Sequence, residues 1–251
     1  MTPSKAPRKA DAVLASYHLA GSVRTNTIIA DPTGGLSRLH ARVSRGFAER
    51  VWVRARREDA RRKIGNGLRA IDTSAPLHDQ VTAWMFPTGV TTHVLLVAAL
   101  RNPTVRPRYL AARDVLADDG HASLYPVLLE LLGCAHLSRH RVAHHLHALT
   151  RTFDATAAVA RTPFFFSSDI TPWHDRSRST GAAFARRHKI LAAGAPDLQH
   201  SLVPAFEAAV ADLGITSTSD ILHRADEVIR FLPRLWETTE AILPANPGIS
   251  N

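Results

Sequence analysis

Side chains equipped for chemistry gather in three stretches of the 251-residue chain. The first is a run of histidines: His136, His140, His144, His145 and His147. On a helix His140, His144 and His147 follow i, i+4, i+7 spacing and share a face, and two histidines at i, i+4 can ligate zinc. The hydrolytic form of that pattern needs a Glu directly after the first His. Arg141 stands there, and no nearby carboxylate completes a site. The same face lies about 200° around the helix from the apolar stripe Val142, Leu146, Leu149 and Phe153. The reading is a solvated face and no metal site.

The second stretch is Phe86-Pro-Thr-Gly-Val-Thr-Thr-His93, followed by Asn102-Pro-Thr-Val-Arg106-Pro-Arg108-Tyr109. A Pro/Gly break inside an apolar helix is costly unless it shapes something. His93, Arg106 and Arg108 are therefore candidate substrate-binding residues, the arginine pair being suited to a phosphate or a carboxylate. The competing reading is a kinked core helix with a solvated basic turn after it. The third stretch, Arg161 to Thr171, carries Phe164, Phe165 and Phe166, which cannot all lie on one face of a helix or strand. Ser167, Ser168 and Asp169 follow directly. Phe165, Ser167, Ser168 and Asp169 are candidate ligand contacts on a loop, and a helix N-cap with aromatic anchors is the alternative.

Other chemistries lack their signatures. There is no Gly-x-Ser-x-Gly, no Gly-x-x-x-x-Gly-Lys and no Gly-x-Gly-x-x-Gly. The single cysteine, Cys134, has no partner for an intramolecular disulfide, which suits a reducing compartment. Neither an apolar run of about 18 residues nor a secretory signal is evident, so no membrane role and a cytoplasmic location are expected.

The net charge of +9 is unevenly placed. Residues 1–70 hold 15 Lys/Arg against 5 Asp/Glu, and the remainder 16 against 17. Such asymmetry suits a nucleic-acid or acidic partner, with Arg54, Arg57 and Arg61 sharing one helix face. Composition is the plainer explanation: 27 of the 31 basic residues are Arg, and no aromatics are interleaved for base stacking.

The elements that must position these residues read almost entirely as helices. The expected organisation is a disordered basic tail over 1–15, a basic strand-turn-helix segment over 16–72 and a helical domain over 73–245. The fold class is mainly α, a helical bundle with a small strand remnant near Asn26–Ala30, closed by the turn Asp31-Pro-Thr-Gly-Gly35. Helices are expected from Leu36, over Val53–Ile71, and over Leu77–Leu100 as two helices or one kinked helix. Further helices are expected from Ser138, an N-cap, to Val159, and over 182–193, 197–213 and 219–243.

The run Trp84-Met-Phe-Pro-Thr-Gly-Val-Thr-Thr-His-Val-Leu-Leu-Val-Ala-Ala-Leu-Arg-Asn-Pro-Thr-Val-Arg106, with Arg161 to Ile170, resembles the helical C-terminal portion of actinobacterial nucleotidyltransferase-like proteins. These are distantly similar to the aminoglycoside nucleotidyltransferases. Asp31-Pro-Thr-Gly34 resembles the turn that closes their catalytic sheet, and the resemblance covers about residues 20–245. It implies a Gly-Ser on a helix-opening loop and an Asp-x-Asp pair holding Mg²⁺ against a nucleotide triphosphate. Gly21-Ser22 is present, which makes Ser22 and Asp31 the catalytic candidates. Asp31 is followed by Pro32 and Thr33, with no second carboxylate, and 173–189 also departs from the family's pattern. The expectation is a relative that keeps the helical substrate-side domain, takes a small-molecule or nucleotide ligand, and is weakly active or inactive alone. Two rivals are a helical interaction protein with a basic N-terminal region and an unrelated enzyme using the 161–171 loop.

Overall fold

The computed structural model describes residues 5–101, 107–159 and 196–250. Within them the chain forms ten helices: α1 (Lys5–Leu14), α2 (Leu19–Thr25), α3 (Gly35–Gly46), α4 (Arg50–Arg69) and α5 (Leu77–Ala98), then α6 (Arg108–Asp118), α7 (Leu124–Leu131), α8 (Arg139–Val159), α9 (Pro196–Ala211) and α10 (Thr218–Ala245). No strand is found among the described residues, and the fold is mainly α. The nearest thing to sheet is a parallel bridge between Glu49 and Ser250. There Arg50 N–H donates to Ser250 O at 2.8 Å and Ser250 N–H donates to Ala48 O at 3.0 Å.

The strand remnant expected at Asn26–Ala30 is absent. α2 already claims the chain up to Thr25, where Ser22 and Thr25 hydroxyls donate back to the carbonyls of His18 and Gly21. The β-branched residues that follow bury little, Ile29 being 97% exposed, so nothing rewards an extended strand without a partner. The N-terminal stretch also differs from the expected tail. It is helical from Lys5, with Ala10 and Leu14 buried, and burying one leucine side chain contributes about 1.5–3 kcal/mol. Its docking is close: a Cβ added to Gly46 at the end of α3 would lie 3.1 Å from Leu14 Cδ1.

The contacts group the chain into two compact units. Unit 1 comprises 1–64, 90–122 and 231–251, and unit 2 comprises 65–89 and 123–230. In unit 1, α1, α2 and α3 pack on one another, and Val43, Val53, Ile64, Leu95, Leu116 and Ile242 lie in the core. In unit 2, α8 packs on α9, and Trp84, Leu128, Val210, Ile215 and Ile221 are buried. Gly133 there has φ +73°, and any Cβ would fall 2.2 Å from the Leu213 carbonyl oxygen, so only glycine fits.

α5 is one continuous helix despite Pro87. The proline ring fills the space over Gly67, where a Cβ would stand 2.7 Å from Pro87 Cγ. By length and composition α5 could cross a membrane, which the sequence reading excluded. Yet 67% of its apolar window is buried inside the protein, as a core helix requires. Ser138 caps α8 as expected, its Oγ accepting from Arg141 N–H at 3.2 Å.

Candidate functional site

Two arginines of α4, Arg56 and Arg57, turn inward. Arg57 is fully buried. Its Nη1 donates to Glu240 Oε1 at 2.8 Å and its Nη2 to the Thr239 hydroxyl and the Trp236 carbonyl, with the guanidinium 4.1 Å from the Trp236 ring centre. Arg54 pairs with the same Glu240 at 3.4 Å, and Arg61 pairs with Glu58 at 3.0 Å. Arg56 is also buried, donating to the Leu14 and Phe47 carbonyls and stacking 4.4 Å from the Phe47 ring. Burial, aided by the charge of Arg24, pulls its pKa down to about 10. Arg54, Arg56 and Arg57 tie α4 to α1 and α10, and Arg54, Arg57 and Arg61 each pair with a carboxylate.

A different cluster in unit 1 combines charge with unused hydrogen-bonding capacity. Tyr17 and His18 follow α1, Asp59 and Lys63 lie one turn apart on α4, His93 lies on α5 and Arg108 opens α6. Tyr17 N–H donates to Asp59 Oδ2 at 3.2 Å, which fixes the loop after α1 against α4. The Tyr17 ring meets the His93 ring edge-on at 5.2 Å and 69°, and the His18 ring at 5.2 Å and 64°. Lys63 Nζ lies 5.0 Å from the Tyr17 ring centre, donates to His18 Nδ1 at 3.2 Å and pairs with Asp59 at 3.4 Å.

The electrostatics follow from burial among cations. His93 is pulled from 6.5 to about 4, first by burial and then by the charges of Arg108 and His18, so it is neutral at pH 7. Its Nδ1 is buried with no hydrogen-bond partner. Burial raises the Tyr17 phenol, the Asp59 carboxylate adds to that and Arg108 opposes it, so the phenol keeps its proton. Arg108 is lowered by burial, and among the described residues no carboxylate pairs with it. An arginine fork beside a neutral phenol and a neutral imidazole can accept an anion and orient it.

The second and third stretches of the sequence reading fare differently. His93 packs on Tyr17 and Arg108 acts on both electrostatically, while Arg106 lies outside the described residues, as do Phe165, Ser167, Ser168 and Asp169. Tyr17, His18, Asp59 and Lys63 were not singled out from the sequence. The available signal was the i, i+4 spacing of Asp59 and Lys63, hidden within the arginine run of α4.

Ser22 meets the cluster only through the His18 backbone, its hydroxyl donating to His18 O at 3.0 Å. Asp31 caps α3, its two oxygens accepting from Leu36 N–H at 3.1 Å and Ser37 N–H at 2.7 Å. The Ser37 amide is the largest cause of its lowered pKa. With both oxygens turned to a helix N-terminus, Asp31 is poorly placed to hold Mg²⁺. No group of three or more His, Cys, Asp or Glu side chains that could hold a metal occurs among the described residues. The described residues therefore do not fit the Mg²⁺ and nucleotide triphosphate of the resemblance.

In unit 2, His140, His144 and His147 are exposed, and His145 is buried. His145 Nε2 donates to Asp212 Oδ2 at 2.6 Å, and Arg141 donates to both Asp212 oxygens at 2.7 and 2.8 Å. Those bonds, Arg141 foremost, hold the Asp212 carboxyl at about 2. This group locks α8 to α9. Compared with known proteins, the chain matches no family model, no curated protein and no solved structure.

Proposed function

We propose that this protein is a nucleotidyltransferase-like ligand-binding protein of the cytoplasm, with weak or no transfer activity of its own, and that unit 1 receives a small anionic ligand. The observation that carries the reading is the Tyr17–His93–Arg108 cluster. It joins the loop after α1 to two residues within or beside the stretch that resembles the nucleotidyltransferase-like proteins, and it presents a cation without a carboxylate. The charge argues against an aminoglycoside at this position. A polycation would meet Arg108 and Lys63 with only Asp59 to offset them. Duplex DNA is disfavoured because the α4 arginines are engaged within unit 1.

A thermal-shift panel tests this with the full chain: nucleoside phosphates with and without Mg²⁺, an aminoglycoside, and a random duplex at 150 mM salt. Small anions are expected to raise the melting temperature, whereas the aminoglycoside and the duplex leave it unchanged. Incubation with a nucleotide triphosphate and Mg²⁺ is expected to release pyrophosphate only at background. Stabilisation by the aminoglycoside alone would sink the reading. Pyrophosphate release that vanishes in Asp31→Asn would show that transfer survives.

A further inference from the structure

We infer that α2, α3 and the loop between them form a docking surface for an anionic membrane, the loop tip entering the lipid while the arginines of α3 meet the headgroups. The inference is independent of the anionic-ligand reading above and uses none of its side chains.

The tip is apolar where solvent exposure calls for polar residues. Every residue from Arg24 to Ala30 is exposed, yet Ile28 and Ile29 sit side by side there, Ile29 at 97%. Leu36, in the first turn of α3, and Leu19, which opens α2, are exposed as well. A single exposed leucine needs no explanation, but an isoleucine pair on an open turn does. The turn is held in place from both sides. Asp31 accepts from the amides of Leu36 and Ser37, and Arg38 Nη2 donates to Thr33 O at 3.0 Å. His40 Nε2 donates to Arg24 O at 3.1 Å, which ties the last turn of α2 to α3.

Charge complements the tip. Arg38, Arg42 and Arg45 follow i, i+4, i+7 spacing and form an exposed stripe on α3, turned away from the buried Val43. Arg24 adds a fourth cation, its guanidinium 4.4 Å from the Phe47 ring centre. Residues 5–47 hold 7 Lys/Arg against 2 Asp/Glu, and both carboxylates are occupied. Asp31 faces the α3 amides, and Asp11 pairs with Arg42 at 3.3 Å with both side chains open to solvent. Such a screened pair is weak, and headgroup phosphates can replace it. Among the described residues no carboxylate pairs with Arg24, Arg38 or Arg45.

Cations beside an apolar tip select a membrane over duplex DNA, which supplies phosphates for the arginines but no apolar phase for Ile29. A protein partner needs a pocket shaped to the tip, whereas lipid chains accept it without one. Docking of this kind stays at the headgroup boundary and requires no spanning helix.

The experiment sediments the full chain with vesicles of phosphatidylcholine alone, or of two parts phosphatidylcholine to one of phosphatidylglycerol, at physiological and at high salt. A random duplex is titrated in parallel. The protein is expected on the mixed vesicles only, and to leave them as salt rises. Arg38→Gln/Arg45→Gln is expected to weaken the partition about 25-fold, roughly fivefold per cation. Ile29→Ser is expected to weaken it about tenfold, the worth of roughly two buried methylenes. Leu222→Ser, at an exposed leucine of α10 in unit 2, binds as the parent does. All the substituted side chains are exposed, so circular dichroism should match the parent throughout. Failure to bind the mixed vesicles overturns the inference, as does vesicle binding that Ile29→Ser leaves unchanged. Duplex binding tighter than vesicle binding and insensitive to Ile29→Ser assigns the arginines to nucleic acid and overturns it too.

Discussion

His93 in unit 1 and His145 in unit 2 both have a buried, unpartnered Nδ1, and they differ in the charges around them. His93 in unit 1 has its Nδ1 unpartnered, and burial with the charges of Arg108 and His18 holds it neutral down to about pH 4. His145 in unit 2 is 5% exposed and donates to Asp212, itself clasped by Arg141. Unit 2 supplies a carboxylate to its buried histidine and uses the trio as a bracket between helices. In unit 1 no carboxylate among the described residues pairs with His93 or Arg108. The difference lies in the neighbours a histidine is given: a carboxylate makes His145 part of a bracket, whereas cations hold His93 neutral.

The comparison can be broken most directly by acid. His93 has its folded pKa lowered from 6.5 to about 4, so between those values the unfolded chain binds the extra proton and stability falls as pH falls. Between pH 7 and 4 this contributes a loss of about 3 kcal/mol at most. Urea unfolding of the parent and of His93→Phe across that range is expected to show a shallower loss in the variant. Equal slopes would mean that His93 is not held neutral by its surroundings.

Asp212→Ala should come next, at about 2 kcal/mol, because it leaves His145 Nε2 buried without its acceptor. The sign of its pH dependence is that of a depressed carboxylate. The contribution is present above the ordinary value of 3.8 and is lost as pH falls toward about 2, so parent and variant should converge in that window. A constant gap from pH 5 to pH 2 would count against the bracket.

A smaller effect sharpens the unit 1 side. Arg108→Gln removes the second-largest cause of the His93 depression, so the His93 resonance should titrate at a higher pH than in the parent, still below 6.5. An unchanged midpoint would separate the two residues. Smallest of all, the double variant His140→Ala/His144→Ala should leave the unfolding midpoint unresolved from the parent, since both side chains are exposed. Zinc retained through chelation and lost in that variant would reveal a use for the histidine face.

Much of the architecture was legible from local pattern. Helix-forming periodicity with short breakers dictates an all-helical chain, Ser138 announces its cap, and the i, i+4, i+7 histidines are solvated as their position opposite the apolar stripe requires. The strand expected at Asn26–Ala30 failed because β-branched residues make a strand only where a neighbour supplies hydrogen bonds, and α2 ends directly before them. Leu14 shows the reverse case: a basic, polar stretch is helical because one leucine finds a place against α3.

For the candidate site, sequence determined which groups were available and tertiary structure decided which of them were spent. His93 and Arg108 could be picked out beside a Pro/Gly break, since residue type and spacing travel with the chain. That Tyr17 would stand between them could not, because it arrives from more than seventy residues away and is fixed by a bond to Asp59. The arginines of α4 carry the same lesson in charge. A sequence counts cations, but only the fold pairs Arg57 with Glu240 and Trp236 and gives Arg108 no carboxylate among the described residues, because ion pairing depends on distances that chain order does not contain.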